Sequence, residues 1–325
     1  MKIYRSLSDI TEPFHLPCVT IGNFDGVHLG HQILFSEVVG RAYRCQGTSV
    51  VITFEPHPLK VLCPERGLKL ISTFAQKVEL IGMAGIDVLV VLPFTRELAG
   101  TPAETFVDEV LLRTIGVHEL VIGYDYAMGR NRQGDIEFLK AQGQEKGFPV
   151  TVVEPFYVDD MLVSSTKIRE LVAAGRMRDV RKLLGRPYQI RGEVKLGKQR
   201  GGPVIGFPTA NLHLSEEDLC PKHGVYVTQV IYDGKCYGGV LNIGYNPTFG
   251  GEQHISAETH IFDFNQDIYG RPIKINLLRY LRGERKFNGV DELAAQIARD
   301  IDEAKQVLAD AQKELLLSCE EKYNR

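Results

Sequence analysis

The first half of the chain alternates short apolar runs with segments of helical spacing, and this alternation limits the fold more than any other feature. Strands that alternate with helices pair in parallel, so the pattern predicts an α/β domain whose sheet carries helices on both faces. The predicted strands are rich in valine and isoleucine and cover 18–21, 49–54, 88–92, 120–122 and 150–153. Two short helices are predicted after them, near 166–174 and 177–184.

The character of the sequence changes at Gly185-Arg186-Pro187. From 188 to 281 it is glycine-rich and strand-like, with tight turns such as Asp233-Gly234, which predicts an antiparallel β-barrel or sandwich. The predicted fold class is therefore α/β plus β, with one domain over residues 1–185 and a second over 186–325. A closing helix is predicted at the end, with one apolar face formed by Leu293, Ile297, Ile301, Ala304 and Leu308.

The 325-residue chain has a formal net charge of −3, so any phosphate chemistry must come from local sites rather than from bulk attraction of a polyanion. Residues 1–11 lack the apolar core of a secretory signal, and the most apolar stretch, 88–94, is too short to span a membrane. The six cysteines form no C-x-x-C pair, which argues against a disulfide scaffold and a thiolate metal site. We therefore expect a cytosolic protein without a membrane or nucleic acid as partner.

Residues 22–31 spell G-N-F-D-G-V-H-L-G-H between the first predicted strand and the first predicted helix. A helix start offers free N–H groups and a positive dipole end to an anion, and glycine lets the backbone come close to a ligand. His28 and His31 can face one spot and stabilise charge on a phosphorus centre. For a bare H-x-G-H string, a glycine-rich turn with two surface histidines is an equally good interpretation. The candidate ATP-binding residues are Gly22, Asn23, Phe24, Asp25, Gly26 and Gly30.

Three later segments fall where a nucleotide-binding sheet would use them. His57, in F-E-P-H-P, follows the second strand, at the edge where open α/β sheets bind ligands. Asp125, in G-Y-D-Y-A-M-G-R, follows another predicted strand. The segment 163–169 supplies hydroxyls and cations for the outer phosphates of ATP, although such a segment is by itself more often a plain N-cap. Its candidate residues are Ser164, Ser165, Thr166, Lys167 and Arg169.

Together these strings resemble the ATP-binding motifs of the nucleotidyltransferase superfamily, and the longer G-N-F-D-G-V-H-x-G-H form is similar to that of FAD synthetases. The resemblance implies a Rossmann-like domain in which His28 and His31 stabilise the transition state of adenylyl transfer. It also implies that His57 and Asp125 contact the flavin. The chain departs from the family pattern at Lys167, where arginine is frequent, and at Tyr126 and Met128, where phenylalanines are expected.

Residues 205–212 spell I-G-F-P-T-A-N-L and are the most specific feature of the second half. They resemble the P-T-A-N motif of riboflavin kinases, which implies that Thr209 and Asn211 hold Mg²⁺ and phosphate. Oxygen ligands suit this hard cation. A proline turn capped by asparagine is the structural alternative for a P-T-x-N string. Further strings follow in that family's order at 223–226, 242–249, 257–264 and 267–270.

The kinase resemblance also implies roles for residues later in the chain. Glu258 matches the catalytic glutamate, which would accept the proton of the terminal ribityl hydroxyl as that oxygen attacks the γ-phosphate. Arg282 and Phe287, in an R-x-x-x-K-F string, would lie beside the flavin.

The string 192–198 spells the first part of a P-loop, but Gln199 stands where Ser or Thr is required. We interpret the segment from Lys198 to Gly206 as a flap over phosphates instead. Pro203 stands in it where the kinase family commonly has arginine.

The resemblance covers roughly residues 15–310 and implies a bifunctional riboflavin kinase and FMN adenylyltransferase, with riboflavin, FMN and ATP as substrates and Mg²⁺ as cofactor. An enzyme with only one activity is an alternative that the intact strings at both sites disfavour. A nucleic-acid-binding protein is another, suggested by the lysines and arginines between 176 and 200. Tyr188 is the only aromatic residue in that stretch, so a stacking platform for single strands is missing. The oligomeric state stays open.

Overall fold

The computed structural model describes residues 1–196, 207–247 and 253–323, with side chains for all of these except 245–247, 253–254 and 311–323. The chain forms two compact units, Met1–Lys167 and Ile168–Arg325. This division falls inside the helix Ser165–Ala173. The domain boundary at 185/186 stays a prediction.

The first unit is built on a six-stranded sheet in which every neighbouring pair is parallel. The five strands expected from the sequence are confirmed, and a short edge strand precedes them. Apolar runs such as 88–92 are buried throughout, as strands between two helical layers must be. In the order β1-β4-β3-β2-β5-β6, the bounds are Lys2–Tyr4 (β1), Val88–Pro93 (β4), Ser49–Glu55 (β3), Cys18–Ile21 (β2), Glu119–Gly123 (β5) and Val150–Val153 (β6).

Helices cover both faces of this sheet, and each face has its own apolar core. Val50 and Ile52 of β3 belong to one buried cluster, whereas Val51 between them belongs to the other. Alternate residues of a strand point to opposite faces, which accounts for this division. Along the chain the helices are α1 Leu29–Cys45, α2 Pro58–Leu62, α3 Phe74–Met83, α4 Arg96–Gly100, α5 Ala103–Thr105 with a π-helical continuation over Phe106–Ile115, α6 Ile136–Lys146, α7 Ser165–Ala173 and α8 Met177–Leu184; 3₁₀ turns lie at Leu7–Asp9, Pro64–Arg66 and Arg130–Arg132, and a small hairpin pairs β7 Tyr157–Val158 with β8 Met161–Leu162.

The second unit contains a six-stranded antiparallel sheet whose two edges come together. The backbone N–H of Lys195, just beyond one edge strand, donates to the carbonyl of Asn211 in the other at 2.8 Å. The sheet therefore comes close to closing on itself, as the predicted antiparallel barrel. In the order β10-β13-β12-β11-β14-β9, the bounds are Ala210–His213 (β10), Gln253–Ile261 (β13), Lys235–Pro247 (β12), Gly224–Tyr232 (β11), Pro272–Arg282 (β14) and Tyr188–Glu193 (β9).

The predicted closing helix is confirmed as α9, Val290–Tyr323. Its Ile301 and Ala304 are buried against Val227, Val240 and Phe262 of the barrel. The apolar face read from the sequence is thus the face that packs on the sheet.

Candidate active sites

The strand order of the first unit places a ligand crevice at the ends of β2 and β5. The chain winds from β2 through β3 to β4 in one direction, whereas β5 and β6 lie on the other side of β2. Such a reversal leaves a crevice outside the carboxyl ends of the two central strands, where open α/β sheets bind ligands. The loop 22–28 leaves β2 at this point, and Gly123 ends β5 there.

The two candidate catalytic histidines lie together at the start of α1. The rings of His28 and His31 stack with centroids 3.5 Å apart and planes 18° apart. His28 is the N-cap of α1, and its Nδ1 accepts a hydrogen bond from the backbone N–H of His31 at 3.3 Å. Phe24 packs edge-on against His31 at 5.2 Å. The structure thus brings both imidazoles to a helix N-terminus, where the dipole also favours an anion.

The side chain of Asp25 stabilises the conformation of the loop 22–28, which we name the phosphate loop. Its carboxylate is almost fully buried and accepts hydrogen bonds from the backbone N–H groups of Ile71 at 3.1 Å and Ser72 at 3.2 Å. The hydroxyl of Ser72 in turn accepts from the backbone N–H of Gly26 at 3.0 Å. The residue that sequence analysis selected for nucleotide binding therefore has partners inside the protein, and it fixes the loop to the segment before α3.

Two glycines of the loop are required by this packing. Gly26 has φ +81°, and a Cβ there would lie 2.8 Å from Cγ2 of Ile71. A Cβ on Gly22 would lie 2.7 Å from the ring of Phe24. At Gly30 a Cβ would lie 3.3 Å from the His28 ring, so glycine leaves room there for the stacked imidazoles. Asn23 lies in the same loop, and its carbonyl oxygen lies 3.4 Å from the ammonium of Lys77.

The segment at the start of α7 reaches the loop from far along the chain. The hydroxyl of Ser165 donates to the carbonyl of Asp25 at 2.9 Å, a contact across 140 residues. The hydroxyl of Ser164 accepts from the backbone N–H of Lys167 at 3.2 Å, as an N-cap does. Thr166 and Arg169 lie on the first turns of the same helix. The N-cap interpretation is therefore confirmed for Ser164, and the binding of ATP phosphates by this segment stays a prediction.

His57 and Asp125 each follow a strand of the sheet, two residues after β3 and β5 end. His57 is buried and caps α2, where its Nδ1 accepts from the backbone N–H of Leu59 at 3.2 Å. Asp125 is exposed, and its carbonyl accepts from a guanidinium N–H of Arg132 at 3.1 Å. The flavin contacts of both residues stay predictions, and the structure shows a local capping role for His57.

The second unit contains a cavity of about 300 Å³ that is lined by barrel strands and by the closing helix α9. Four residues selected from the sequence line it, namely Thr209, Glu258, Arg282 and Phe287. Asn211 lies directly opposite Glu258 in the β10–β13 pair. The amide Nδ2 of Asn211 donates to the carbonyl of Thr209 at 3.3 Å and lies 3.5 Å from its hydroxyl. Thr209 of the P-T-A-N string and the candidate base Glu258 therefore line one cavity, and Asn211 is the strand partner of that base.

The oxygens of this group fit the Mg²⁺ that the sequence implies. Asn211 directs its amide N–H₂ to the carbonyl and hydroxyl oxygens of Thr209, so its Oδ1 is not the atom used in these contacts. The carboxylate of Glu258 lies across the strand pair. A few protein oxygens of this kind suit a cation that keeps waters and binds ATP phosphates. Over residues 1–196, 207–247 and 253–323, no cluster of three or more His, Cys, Asp or Glu side chains is placed to hold a metal.

Two family models match the chain, FAD synthetase over residues 13–167 and riboflavin kinase over residues 184–308. Two relatives carry the name bifunctional riboflavin kinase/FMN adenylyltransferase. The one from Pseudomonas fluorescens is 36% identical over 310 residues, which are 95% of this chain and 98% of that protein. The one from Bacillus subtilis is 37% identical over 314 residues, which are 94% and 98% of the two chains.

The chain belongs to the bifunctional riboflavin kinase/FMN adenylyltransferase family. A crystal structure described as a macrolide-efflux protein from Streptococcus pneumoniae matches it with a TM-score of 0.84 at 32% identity, over 93% of this chain and 98% of that one. This match shows a shared fold over nearly the whole chain. Among the described helices, none is both long and apolar enough to cross a membrane.

Two of the departures from the family pattern, Tyr126 and Met128, lie against the core of the first unit. Met128 is buried, and Tyr126 packs against the same cluster. The Tyr126 hydroxyl is buried and has no hydrogen-bond partner among the described residues. Burial raises the pKa of this phenol well above its usual range. Lys198, Pro203 and Gly206, which we assigned to the kinase flap, lie outside the described residues.

Sequence analysis missed a buried lysine beneath the phosphate loop. Lys77 of α3 is only 6% exposed, and its ammonium lies 3.4 Å from the carbonyl of Asn23 and 3.3 Å from that of Phe54. Burial lowers the pKa of Lys77, and the nearby carboxylates of Glu55 and Asp25 oppose that shift. The available signal was its position one turn before Ile81 on the apolar face of α3.

Asp300 and Gln296 of α9 were missed as well. Asp300 lines the kinase cavity, is almost fully buried and binds the guanidinium of Arg282. Gln296 donates to the same carboxylate at 2.8 Å. Their spacing of four residues on one helical face was the signal available in the sequence.

Proposed function

We propose that this protein carries out both reactions of its family, the phosphorylation of riboflavin to FMN in the second unit and the adenylylation of FMN to FAD in the first. The proposal rests on one observation above all, that each family match contains a site of its own. His28 and His31 lie within 13–167, and Thr209 and Glu258 lie within 184–308. Neither reaction needs a protein nucleophile, because positioning and charge stabilisation suffice.

In the kinase reaction, the terminal ribityl hydroxyl of riboflavin attacks the γ-phosphorus of ATP. A new O–P bond forms, the bond to the bridging oxygen breaks and ADP leaves. Glu258 takes the hydroxyl proton, while Thr209 and Asn211 hold phosphate oxygens across the strand pair from it. Mg²⁺, when bound to these oxygens and to ATP, neutralises charge on the transferred group. Phe287 offers an aromatic face to the flavin from the cavity wall.

In the adenylyl transfer, a phosphate oxygen of FMN attacks the α-phosphorus of a second ATP and pyrophosphate leaves. Negative charge grows on the α-phosphate in the transition state. The stacked His28 and His31 and the N–H groups at the start of α1 are fixed in advance at the crevice, so they stabilise this charge without reorganising. Neither histidine forms a bond to phosphorus in this scheme.

The substrates are then riboflavin, FMN and ATP, all small ligands, with Mg²⁺ as cofactor. We place the reactions in the cytosol. The described cysteines, Cys18, Cys45, Cys63, Cys220 and Cys236, are free thiols, as a reducing compartment allows.

A chromatographic time course of the purified protein with riboflavin, ATP and Mg²⁺ tests the proposal. We expect FMN to form first and then to give way to FAD. FMN without FAD would contradict the transferase half of the proposal. No conversion by folded protein in the presence of Mg²⁺ would contradict both halves.

A further inference from the structure

The first two residues of the P-T-A-N string precede the strand that pairs with the rest of the barrel. β10 begins at Ala210, so Pro208 and Thr209 precede the ladder that pairs β10 with β13. Pro208 has no N–H, which leaves its carbonyl oxygen as its only backbone group for a hydrogen bond. That oxygen lies 2.9 Å from Nδ1 of His260 in β13. A carbonyl can only accept, so Nδ1 of His260 carries a proton and donates it to this bond.

The His260 ring is held in this orientation by aromatic neighbours. Phe207 meets it edge-on, with centroids 5.4 Å apart and planes at 84°. Phe262 is tilted against it at 6.0 Å. His260 and Phe207 both line the kinase cavity. The donor is therefore aimed by packing at the residue just before Thr209.

The strand register puts His260 into one group with the candidate kinase residues. Asn211 pairs with Glu258, and Ala210 pairs with Thr259. Thr209 precedes Ala210 and His260 follows Thr259, so both residues adjoin the end of this ladder. Directly paired residues share a face of the sheet, so Asn211 lies on the face of Glu258. Thr209, Glu258 and His260 themselves line the cavity. Two hydrogen bonds therefore hold the backbone around Thr209. The amide of Asn211 donates to the Thr209 carbonyl, and His260 donates to the carbonyl of the preceding residue, Pro208.

We propose that His260 is a positioning residue of the kinase site. By donating to the Pro208 carbonyl, it sets where the oxygens of Thr209 and Asn211 meet the phosphates and cation of the nucleotide. Glu258 keeps the role of base, and His260 transfers no proton in the reaction. This inference rests on the proposed kinase function.

The variants His260→Asn and His260→Gln form a matched pair for the test. An asparagine amide nitrogen can occupy the place of ring Nδ1, whereas that of glutamine reaches the place of Nε2. We expect the dissociation constant of Mg·ADP, measured by calorimetry with FAD filling the first site, to stay within about twofold of wild type in His260→Asn. In His260→Gln we expect it to rise about three- to tenfold, the size of one net hydrogen bond. The KM for ATP in FMN formation should follow the same order.

Two further measurements separate positioning from general damage. The affinity for riboflavin, from quenching of its fluorescence, should be equal within about twofold in the two variants. Both lose the ring that lines the cavity, and only the hydrogen bond to Pro208 distinguishes them. FAD formation from supplied FMN should be unchanged. Equal Mg·ADP affinities in the two variants would overturn the inference. So would a riboflavin affinity that is lower in His260→Gln than in His260→Asn by the same factor as the Mg·ADP affinity. If wild type binds Mg·ADP without making FMN, the proposed function fails, while the variant pair still decides whether His260 positions the nucleotide site.

Discussion

Arg282, at the end of β14, and Asp300, in α9, form a two-pronged ion pair at the wall of the kinase cavity. Nε and Nη2 of Arg282 lie 3.0 and 2.7 Å from the two carboxylate oxygens of Asp300. The pair ties the closing helix to the barrel and holds the guanidinium 5.8 Å from the ring centroid of Phe287. The residue predicted to lie beside the flavin is thus oriented by a carboxylate on another element.

Asp300→Ala should lower the free energy of unfolding of the second unit by about 2 kcal/mol, because charged hydrogen bonds are lost and a largely buried cation keeps no carboxylate. Arg282 is 23% exposed, so water offsets part of the loss. Urea unfolding followed by circular dichroism measures it, since the chain has no tryptophan. Asp302→Ala, an exposed change on the same helix, should stay within about 0.5 kcal/mol of wild type. Equal losses in the two variants would rule out the ion pair as the cause.

Glu258→Gln should lower FMN formation from riboflavin by about 10²- to 10⁴-fold, because the amide cannot accept the hydroxyl proton. FAD formation from supplied FMN should continue at the wild-type rate and serves as the control for folding. The measurement is the rate of each flavin product by chromatography. Loss of both activities would show that the two sites are not independent.

His28→Ala should make FMN accumulate, with the rate of FAD formation reduced about 10²- to 10³-fold, since one of two fixed groups for the transition-state charge is gone. Riboflavin turnover to FMN supplies the control within the same reaction. His118→Ala, an exposed histidine of the same unit, is the matched variant and should retain FAD formation. Undiminished FAD output from His28→Ala would remove His28 from the proposed site.

Tyr126→Phe should stabilise the first unit by about 1 kcal/mol. The Tyr126 hydroxyl is buried without a partner among the described residues, so removing it removes a desolvation cost. The change also restores the residue that the family resemblance leads us to expect. Thermal unfolding of the ligand-free protein measures the effect. A lower melting temperature would mean that the hydroxyl has a partner in solution.

Lys77 should make stability depend on pH in the alkaline range. Burial lowers the pKa of Lys77 in the folded protein below the value of 10.5 for the unfolded chain. Between these two pKa values the unfolded chain therefore binds more protons at Lys77 than the folded protein does. Where the unfolded state binds more protons, the free energy of unfolding rises with pH. The stability of wild type relative to Lys77→Met should therefore increase as the pH rises from the folded pKa towards 10.5. Urea titrations of both proteins at several pH values measure it, and a constant difference would contradict the prediction.

The sequence alone determined the sheet types and the chemical strings. Valine- and isoleucine-rich runs separated by helical segments predicted the parallel sheet, because the period of apolar residues follows directly from strand and helix geometry. The face of α9 that packs on the barrel was readable for the same reason, with Ile301 and Ala304 as its centre. Strings such as P-T-A-N are continuous in the chain, so they too could be read without knowledge of their neighbours.

Only the tertiary structure decided what each side chain meets. The sequence does not show whether the carboxylate of Asp25 contacts a nucleotide or the protein backbone. In the structure it accepts hydrogen bonds from the backbone N–H groups of Ile71 and Ser72. The contacts of Ser165 with Asp25 and of His260 with Pro208 join residues that are 140 and 52 positions apart. Spacing along the chain encodes which residues share a face of one element, and it carries no record of which elements fold against each other. Hydrogen-bond partners, burial and the resulting pKa shifts depend on that second kind of neighbour, so they followed only from the folded chain.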